Sequence, residues 1–369
     1  MTVRVTRTDD GLVLGTPATR PEFSAILEAA GAVLVWDVAT GEALPAAIVW
    51  DPVLAAEWAW QIYGVEVTTA LLAADSSPFA AVPGAALESA RVVARCRWAR
   101  SWWPASHRAA IPALDTRLLH LQEAAEVVEL EHLLDDSDGL DDELRKGLRA
   151  AEYLENEVPP SLPSVVPGLI ERIRSSADDR GISLDPIRAE ASEGAQGEFA
   201  LAAGATKAAD VGTDSTRPIA AGSAPLDLSR VTPGTADAAA EARWSIHLIG
   251  GSTVLEVAVE RAPGRGSESA PQPLAANFAG VSLELVPNAA SFSGRAMVPA
   301  GILLTRPEER KLTIASPGYG DGWRVDSAAL IDAARRALAR ALTEAGEGGE
   351  GSGGSAVTTV AEREAAVLA

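Results

Sequence analysis

Residues 187–242 contain very few large apolar side chains, and this gap limits what the chain can fold into more than any other feature. The stretch is rich in alanine, glycine, serine, threonine and acids, with Phe199 and Leu201 among its few bulky apolar residues. Such a composition cannot bury enough apolar surface to offset the entropy of an ordered chain. The sequence therefore predicts a flexible linker over 187–242 that separates two folded parts, and a length of 369 residues agrees with two to three domains.

The part before the linker predicts a mixed α+β domain over 1–158. Residues 21–30 predict a helix that ends at a glycine, and residues 52–63 predict a second helix with an aspartate N-cap. A cluster of prolines then marks a boundary, and 159–186 predicts one short helical segment. Residues 3–7 alternate like an edge strand that could pair with 12–14, and 32–36 and 46–50 are apolar runs of strand length.

An arginine-rich and tryptophan-rich helix is predicted over 85–103. From residue 91 to 108 there are five arginines and no acid. Residues 114–157 predict an acidic helical hairpin, because apolar residues recur there in alternating steps of four and three. From residue 123 to 157 there are thirteen acids and three basic residues, so the two segments have opposite charge.

The part after the linker predicts an antiparallel β-sandwich with a closing helix over 243–345. Short alternating runs are broken by glycine and proline at regular spacing, and Gly250-Gly251 is a hairpin signal. Residues 326–343 predict the closing helix, and 346–369 predicts a flexible linker and tail. The tail is either disordered or a short docking helix with Val357, Val360 and Leu368 as anchors.

The arginine and tryptophan residues of the predicted helix form the candidate binding site. Helical phasing places Cys96 and Trp103 on the buried stripe, and Trp98 on a shoulder with Arg91 and Arg95. Tryptophan and arginine dominate the energetics of protein interfaces. The competing interpretation is a core helix whose arginines pair with the acidic hairpin. The candidate partner-binding residues are Arg91, Arg95, Arg97, Trp98 and Arg100.

Composition removes several classes of function. A net charge of −20 argues against a general nucleic-acid binder and against an anionic membrane surface. A single cysteine, Cys96, cannot form an internal disulfide, and the sequence shows neither a signal peptide nor an apolar run long enough to span a bilayer. These observations favour a cytoplasmic protein. Only three of the 31 basic residues are lysines, so an arginine cluster is less informative here than in most chains.

Catalytic and metal templates find no full match in the sequence. The chain has no phosphate loop with Gly-Lys-Ser or Gly-Lys-Thr and no nucleophile elbow of the Gly-x-Ser-x-Gly type. The pair His120 and Glu123 and the pair Glu129 and His132 each place a carboxylate one helical turn from an imidazole. A di-metal site would need further ligands, so we expect no metal and no cofactor.

The modular layout favours a non-catalytic adaptor or assembly protein that binds protein partners through two modules. A first alternative is an enzyme that holds a small anionic substrate with Arg95, Arg97 or Arg100 and uses His107 or Asp115 as the base. A second alternative is a nucleotide-associated or nucleic-acid-associated protein, which the acidic charge disfavours.

Overall fold

The computed structural model has the mixed α+β composition that the sequence predicted, with two antiparallel sheets. It describes residues 2–9, 11–73, 78–134, 137–183, 217–264, 272–319, 325–346 and 358–369. Within these ranges the buried apolar side chains form two separate clusters, a larger first core and a smaller second core. The first part of the predicted 187–242 linker, residues 187–216, lies outside the described residues.

The first sheet has six antiparallel strands in the order β3-β4-β5-β2-β1-β6. Its strands are β1 (Thr2–Thr8), β2 (Gly11–Leu14), β3 (Ser24–Ala29), β4 (Ala32–Asp37), β5 (Ala46–Val49) and β6 (Pro78–Ala80). The predicted pairing of 3–7 with 12–14 is confirmed, with Thr6 opposite Val13. The predicted helix over 21–30 is wrong. That segment forms a 3-10 turn and then β3, because its buried residues alternate with exposed ones at the strand period of two.

One face of the first sheet packs against helices, and α4 contacts β3 most closely. The helices that follow β5 and β6 are α1 (Pro52–Trp58), α2 (Trp60–Tyr63), α3 (Glu66–Ala73), α4 (Leu87–Trp102), α5 (Thr116–Val127), α6 (Ser137–Leu154) and α7 (Val165–Asp179). The predicted acidic hairpin is present as the packed pair α5 and α6. Asp51 and Asp115 accept backbone hydrogen bonds as the N-caps of α1 and α5.

The second sheet is a single curved sheet rather than the predicted two-sheet sandwich. Its seven antiparallel strands follow the order β13-β10-β11-β12-β9-β8-β7. They are β7 (Ala220–Pro225), β8 (Glu241–Ile249), β9 (Ser252–Glu260), β10 (Leu274–Phe278), β11 (Val281–Pro287), β12 (Ser291–Met297) and β13 (Leu312–Ala315). The sheet curls until β13 at one end contacts β7 and β8 at the other, so one sheet encloses its own core.

Residues 217–242, which the composition assigned to the linker, are folded. Strand β7 lies at the edge of the second sheet, and Ala236 and Ala240 are buried in the second core. Gly222 allows the Trp244 ring to lie against the strand, since a Cβ there would be 2.7 Å from that ring. Backbone pairing with β8 and the burial of Leu226 and Val231 stabilise this segment, so its small number of large apolar residues was misleading.

The predicted domain boundaries also differ from the structure near the C-terminus. Helix α8 (Ser327–Gly346) and helix α9 (Val360–Leu368) pack on each other, and their buried residues belong to the first core. Helix α7 packs against α5 and α6 in the same core. The predicted closing helix of the β-domain and the predicted tail are therefore parts of the N-terminal body.

Buried Asp237 joins the two halves of the molecule. One of its carboxylate oxygens accepts a 2.6 Å hydrogen bond from Oγ of Ser106, and the other accepts one of 2.7 Å from the backbone N–H of His107. The Arg108 guanidinium forms a 2.5 Å ion pair with Glu260 beside this contact. This junction holds the end of the α4–α5 loop against the second sheet, and a cleft lies next to it.

Candidate anion-binding cleft

The structure places Arg95 and Trp98 in the interior of the protein rather than on an exposed surface. Trp98 is 2% exposed, and its indole N–H donates a 2.8 Å hydrogen bond to the backbone carbonyl of Glu22. The Arg95 guanidinium stacks on the Trp98 ring at 4.2 Å and lies 2.5 Å from the carboxylate of Glu362. Both residues are therefore buried away from an external partner, and Arg95 is also paired with Glu362 of α9.

Helix α9 is anchored through polar groups as well as apolar ones. Thr359 and Glu362 form a reciprocal capping box in which each side chain accepts a hydrogen bond from the other's backbone N–H. The backbone N–H of Val360 donates a 2.7 Å hydrogen bond to the side chain of Gln122 on α5. The segment 358–369 is thus a docked helix, and the disordered alternative for these residues is wrong; Val357 lies outside the described residues.

The other predicted cations are on different sides of α4. Arg97 and Arg100 both bind the fully buried carboxylate of Glu123 on α5, at 2.7 Å and 2.5 Å. Arg91 pairs with Glu88 one turn earlier at 3.1 Å. The expected pairing between the arginine-rich helix and the acidic hairpin is therefore present for Arg97 and Arg100.

Arg91 and Arg95 line a small cavity together with Arg340 and Trp36. The cavity has a volume of about 30 Å³. A space of this size holds one or two water molecules, and it is too small for an organic ligand. The five predicted residues do not converge on one site, but Arg100 takes part in a much larger cleft.

That cleft has a volume of about 590 Å³ and lies where the helical body meets loops of the second sheet. Helices α4, α5 and α6 form one wall. The loops before β8 and after β9 form the other through Pro233, Gly234, Pro263 and Gly264. Its described lining includes Arg100, Arg117, His120, Lys146 and Arg149, and it includes no aspartate or glutamate.

The carboxylates that pair with these cations do not line the cleft. Glu123 is shared by Arg97 and Arg100, so one buried negative charge faces two guanidinium groups. Lys146 pairs with Glu143 at 2.7 Å, whereas Arg149 is exposed and forms no ion pair with a described residue. An excess of positive charge therefore faces the cleft.

His120 adds a neutral hydrogen-bond donor to the lining. Burial, assisted by the charge of Arg100, lowers the pKa of His120 to about 4, so the ring is neutral at pH 7. The Arg100 guanidinium lies 2.7 Å from Nδ1. Because arginine can only donate, Nδ1 is the acceptor and the ring proton is on Nε2.

His120, Glu123 and Glu143 have ligand atoms within 4.8 Å of one another, which is a geometry that could hold a metal ion. These residues include the imidazole and carboxylate donors that divalent metals use. However, Arg97 and Arg100 already contact Glu123, and Lys146 contacts Glu143. A metal ion would have to displace cations from both carboxylates, so the electrostatics favour an anion beside this cluster.

The residues considered for general-base and nucleophilic chemistry are not arranged for it. Asp115 is buried, N-caps α5 and binds the Arg117 guanidinium at 2.7 Å. His107 is exposed beside the junction and does not line the cleft. Cys96 is fully buried, and burial raises the pKa of its thiol well above the usual range, with Glu123 acting in the same direction.

The sequence indicated only part of this cleft. Arg100 and Trp103 were recognised on the predicted helix, and His120 was considered as a metal ligand. Lys146 and Arg149, spaced three apart on the acidic hairpin, were the available signal for a basic patch on α6. Pro233 and Gly234 lie in a segment predicted as linker, and no local pattern connects them to α5.

Searches against protein-family models, curated proteins and solved structures find no match to this chain. Among the described helices, none is both long enough and apolar enough to cross a membrane.

Proposed function

We propose that the protein binds a small organic anion, a phosphate or carboxylate with an apolar portion, in the cleft between the helical body and the second sheet. The observation that supports this is the lining itself. Four cationic side chains and a neutral histidine face a cavity of about 590 Å³ whose described lining contains no acid. The whole chain has a net charge of −20, so a cavity lined by cations and by no described acid differs from the rest of the protein.

The apolar part of the lining suits the rest of such a ligand. Leu119 contributes apolar surface from α5, and Trp103 and Leu114 contribute it from the loop between α4 and α5. The Trp103 ring is fixed, because its indole N–H donates a 2.8 Å hydrogen bond to the carbonyl of Pro112 and the ring makes a T-shaped contact with Trp98. Ligand pockets of this size combine an apolar wall with a few placed polar groups.

Charge geometry favours a phosphate or carboxylate over a cation. Guanidinium groups bind both anions through paired N–H donors. Arg100 and Arg117 are held by Glu123 and Asp115, so they are pre-oriented at the edge of the cleft. Arg149 has the freedom to close on a ligand, since it forms no ion pair with a described residue.

Binding does not by itself imply catalysis. The enzyme hypothesis needs a base or nucleophile beside the ligand, and its candidates His107 and Asp115 are outside the cleft or committed to α5. The adaptor hypothesis stays a prediction, but two of its anchors, Arg95 and Trp98, are buried, and Arg95 pairs with Glu362 of α9. The cleft therefore supports a ligand-binding role more directly than either.

Isothermal titration calorimetry of the full chain with phenyl phosphate, hexanoate and inorganic phosphate tests the proposal. We expect phenyl phosphate to bind more tightly than inorganic phosphate, because it also uses the apolar wall. The variant Arg149→Ser should weaken binding about 10-fold, which corresponds to one charge-assisted hydrogen bond.

Arg145→Ser is the matched control, since Arg145 is on the same helix, pairs with Asp142 and does not line the cleft. Equal loss of binding in both variants would indicate a general charge effect and contradict the site. Absence of heat with all three probes at low salt would contradict an anion-binding function for the cleft.

A further inference from the structure

The outer face of the first sheet is apolar where a solvated face would be polar. Antiparallel sheets with one face in water normally alternate apolar and polar residues. Here Ile26 is 44% exposed and Ile48 is 39% exposed, while Val35 and Ala46 are buried without belonging to either core. The strand register places all four on the face opposite the helices. An exposed apolar face of this kind marks an interaction surface.

The strand register arranges this face in two rows that run across five strands. Each row takes one residue from β1, β2, β5, β4 and β3 in turn. The first row, in which each residue is paired with the next, is Thr6, Val13, Ile48, Val33 and Glu28. The second row, two residues further along the strands, is Arg4, Gly15, Ala46, Val35 and Ile26.

Within these two rows the charged residues are at the two ends, and Asp37 on β4 lies two residues beyond Val35, past the second row. Arg4 lies on β1 and Glu28 lies on β3, and each is two strands away from β5. Both side chains are exposed, and neither forms an ion pair with a described residue. The centre of the face is apolar, so the surface has one positive end and one negative end placed symmetrically about β5.

We propose that this face binds a second copy of the chain in an isologous dimer whose twofold axis runs parallel to β5 between the two sheets. Rotation about that axis exchanges the two ends of the face. Strand β5 then lies opposite β5 of the other copy, and β3 lies opposite β1. A dimer of this kind is a face-to-face packing of two sheets about 10 Å apart.

Charge complementarity indicates that a second copy of the chain covers this face. It also determines the direction of the twofold axis. With the axis parallel to β5, Arg4 of each copy meets the end of the other copy that carries Glu28. The two side chains are one row apart, about 7 Å along the strand, which an arginine can span. An axis perpendicular to the strands would instead place Arg4 against Arg4 and Glu28 against Glu28.

The shapes of the opposing residues agree with this arrangement. Val35 lies opposite Gly15 of the other copy, where no side chain occupies the space. Ile48 lies on the axis and meets its own symmetry mate. Trp50, which directly follows β5, is 55% exposed and extends the apolar surface at one end.

The size of the face indicates a weak dimer. Five strands at about 4.8 Å spacing and roughly 20 Å of strand length give about 500 Å² per copy. A standard stable interface buries about 800 Å² per partner, so we expect dissociation in the micromolar range rather than the nanomolar range.

Sedimentation equilibrium of the full chain, from micromolar to near-millimolar concentration, tests the dimer. The variant Ile48→Lys places two like charges on the axis and should raise the dissociation constant about 100-fold or more. Leu72→Lys is the control, because Leu72 is 58% exposed on α3, away from this face. A chain that stays monomeric throughout, or a dimer that survives Ile48→Lys, would overturn the proposal.

Charge reversal tests the orientation separately. Arg4→Glu and Glu28→Arg should each weaken self-association, because each creates like charges at both ends of the dimer. An equimolar mixture of the two variants should restore association, since each copy then offers the charge that the other lacks. A mixture no more associated than either variant alone would overturn the parallel axis.

Discussion

Glu362 is expected to be the most sensitive single residue of the C-terminal helix. Its side chain is fully buried, accepts two hydrogen bonds from the Arg95 guanidinium at 2.5 Å and 3.1 Å, and accepts one from the backbone of Thr359 at 2.7 Å. The charge of Glu362 also opposes the desolvation that lowers the pKa of Arg340. One carboxylate thus compensates two guanidinium groups.

The variant Glu362→Gln keeps the side-chain shape and removes the charge. Breaking a buried ion pair by neutralising one partner costs about 3–5 kcal/mol, because the remaining charge is buried without compensation. We expect a loss of that size in the free energy of unfolding, measured by urea titration with tryptophan fluorescence. Hydrogen exchange should also show faster exchange of the amides of α9 than in the wild-type protein.

Two further variants separate charge from packing. Val367→Ala changes an exposed residue on the same helix and should cost less than about 0.5 kcal/mol. The double variant Arg95→Met with Glu362→Gln removes both charges, so it should be less destabilised than Glu362→Gln alone. The reasoning is refuted if Glu362→Gln costs under about 1 kcal/mol, or if the two substitutions are simply additive.

Three other predictions follow from close contacts and charge. Gly147→Ala places a Cβ 2.3 Å from the Cβ of Ala124 and should destabilise the protein by about 1–3 kcal/mol. Gly168→Ala places a Cβ with no atom within 4 Å and should stabilise the protein by about 0.5–1 kcal/mol. Thermal melts of both variants check these predictions. The pKa of His120 is lower in the folded protein than in the unfolded chain, so the unfolded chain binds more protons between these values. The free energy of unfolding of the wild-type protein should therefore fall as pH drops from about 6.5 to about 4. His120→Gln should remove about 1–2 kcal/mol of that fall, measured by urea titration at each pH. Asp237→Ala leaves the donors from residues 106 and 107 without acceptors and should make the two cores unfold separately in calorimetry.

Strongly periodic segments could be predicted from the sequence, and short ambiguous ones could not. The helical pattern over 85–103 and the hairpin of α5 and α6 are present in the structure. Residues 24–29 could form either a helix or a strand, and pairing with β4 decided the outcome. Pairing between strands is a non-local effect, and periodicity over six residues does not contain it.

The linker prediction was wrong for 217–242 because it counted large side chains. Strand β7 needs backbone hydrogen bonds with β8, and its small residues fit beneath the Trp244 ring. The sequence left the docking of α9 open as one of two alternatives for a related reason. A nine-residue helix is not stable alone, so its formation depends on packing against α8 and on its contacts with Arg95 and Gln122.

The candidate site shows why clustering of arginine was a poor guide to function in this chain. Arg95, Arg97 and Arg100 each have a carboxylate partner, and the partner of Arg95 is 267 residues away in sequence. In an acidic protein most arginines are expected to find such partners, so a cluster chiefly reports internal ion pairs. Arg149 differs because it faces the cleft and forms no ion pair with a described residue. A cation that the fold leaves uncompensated beside a cavity is the stronger indication of an anionic ligand.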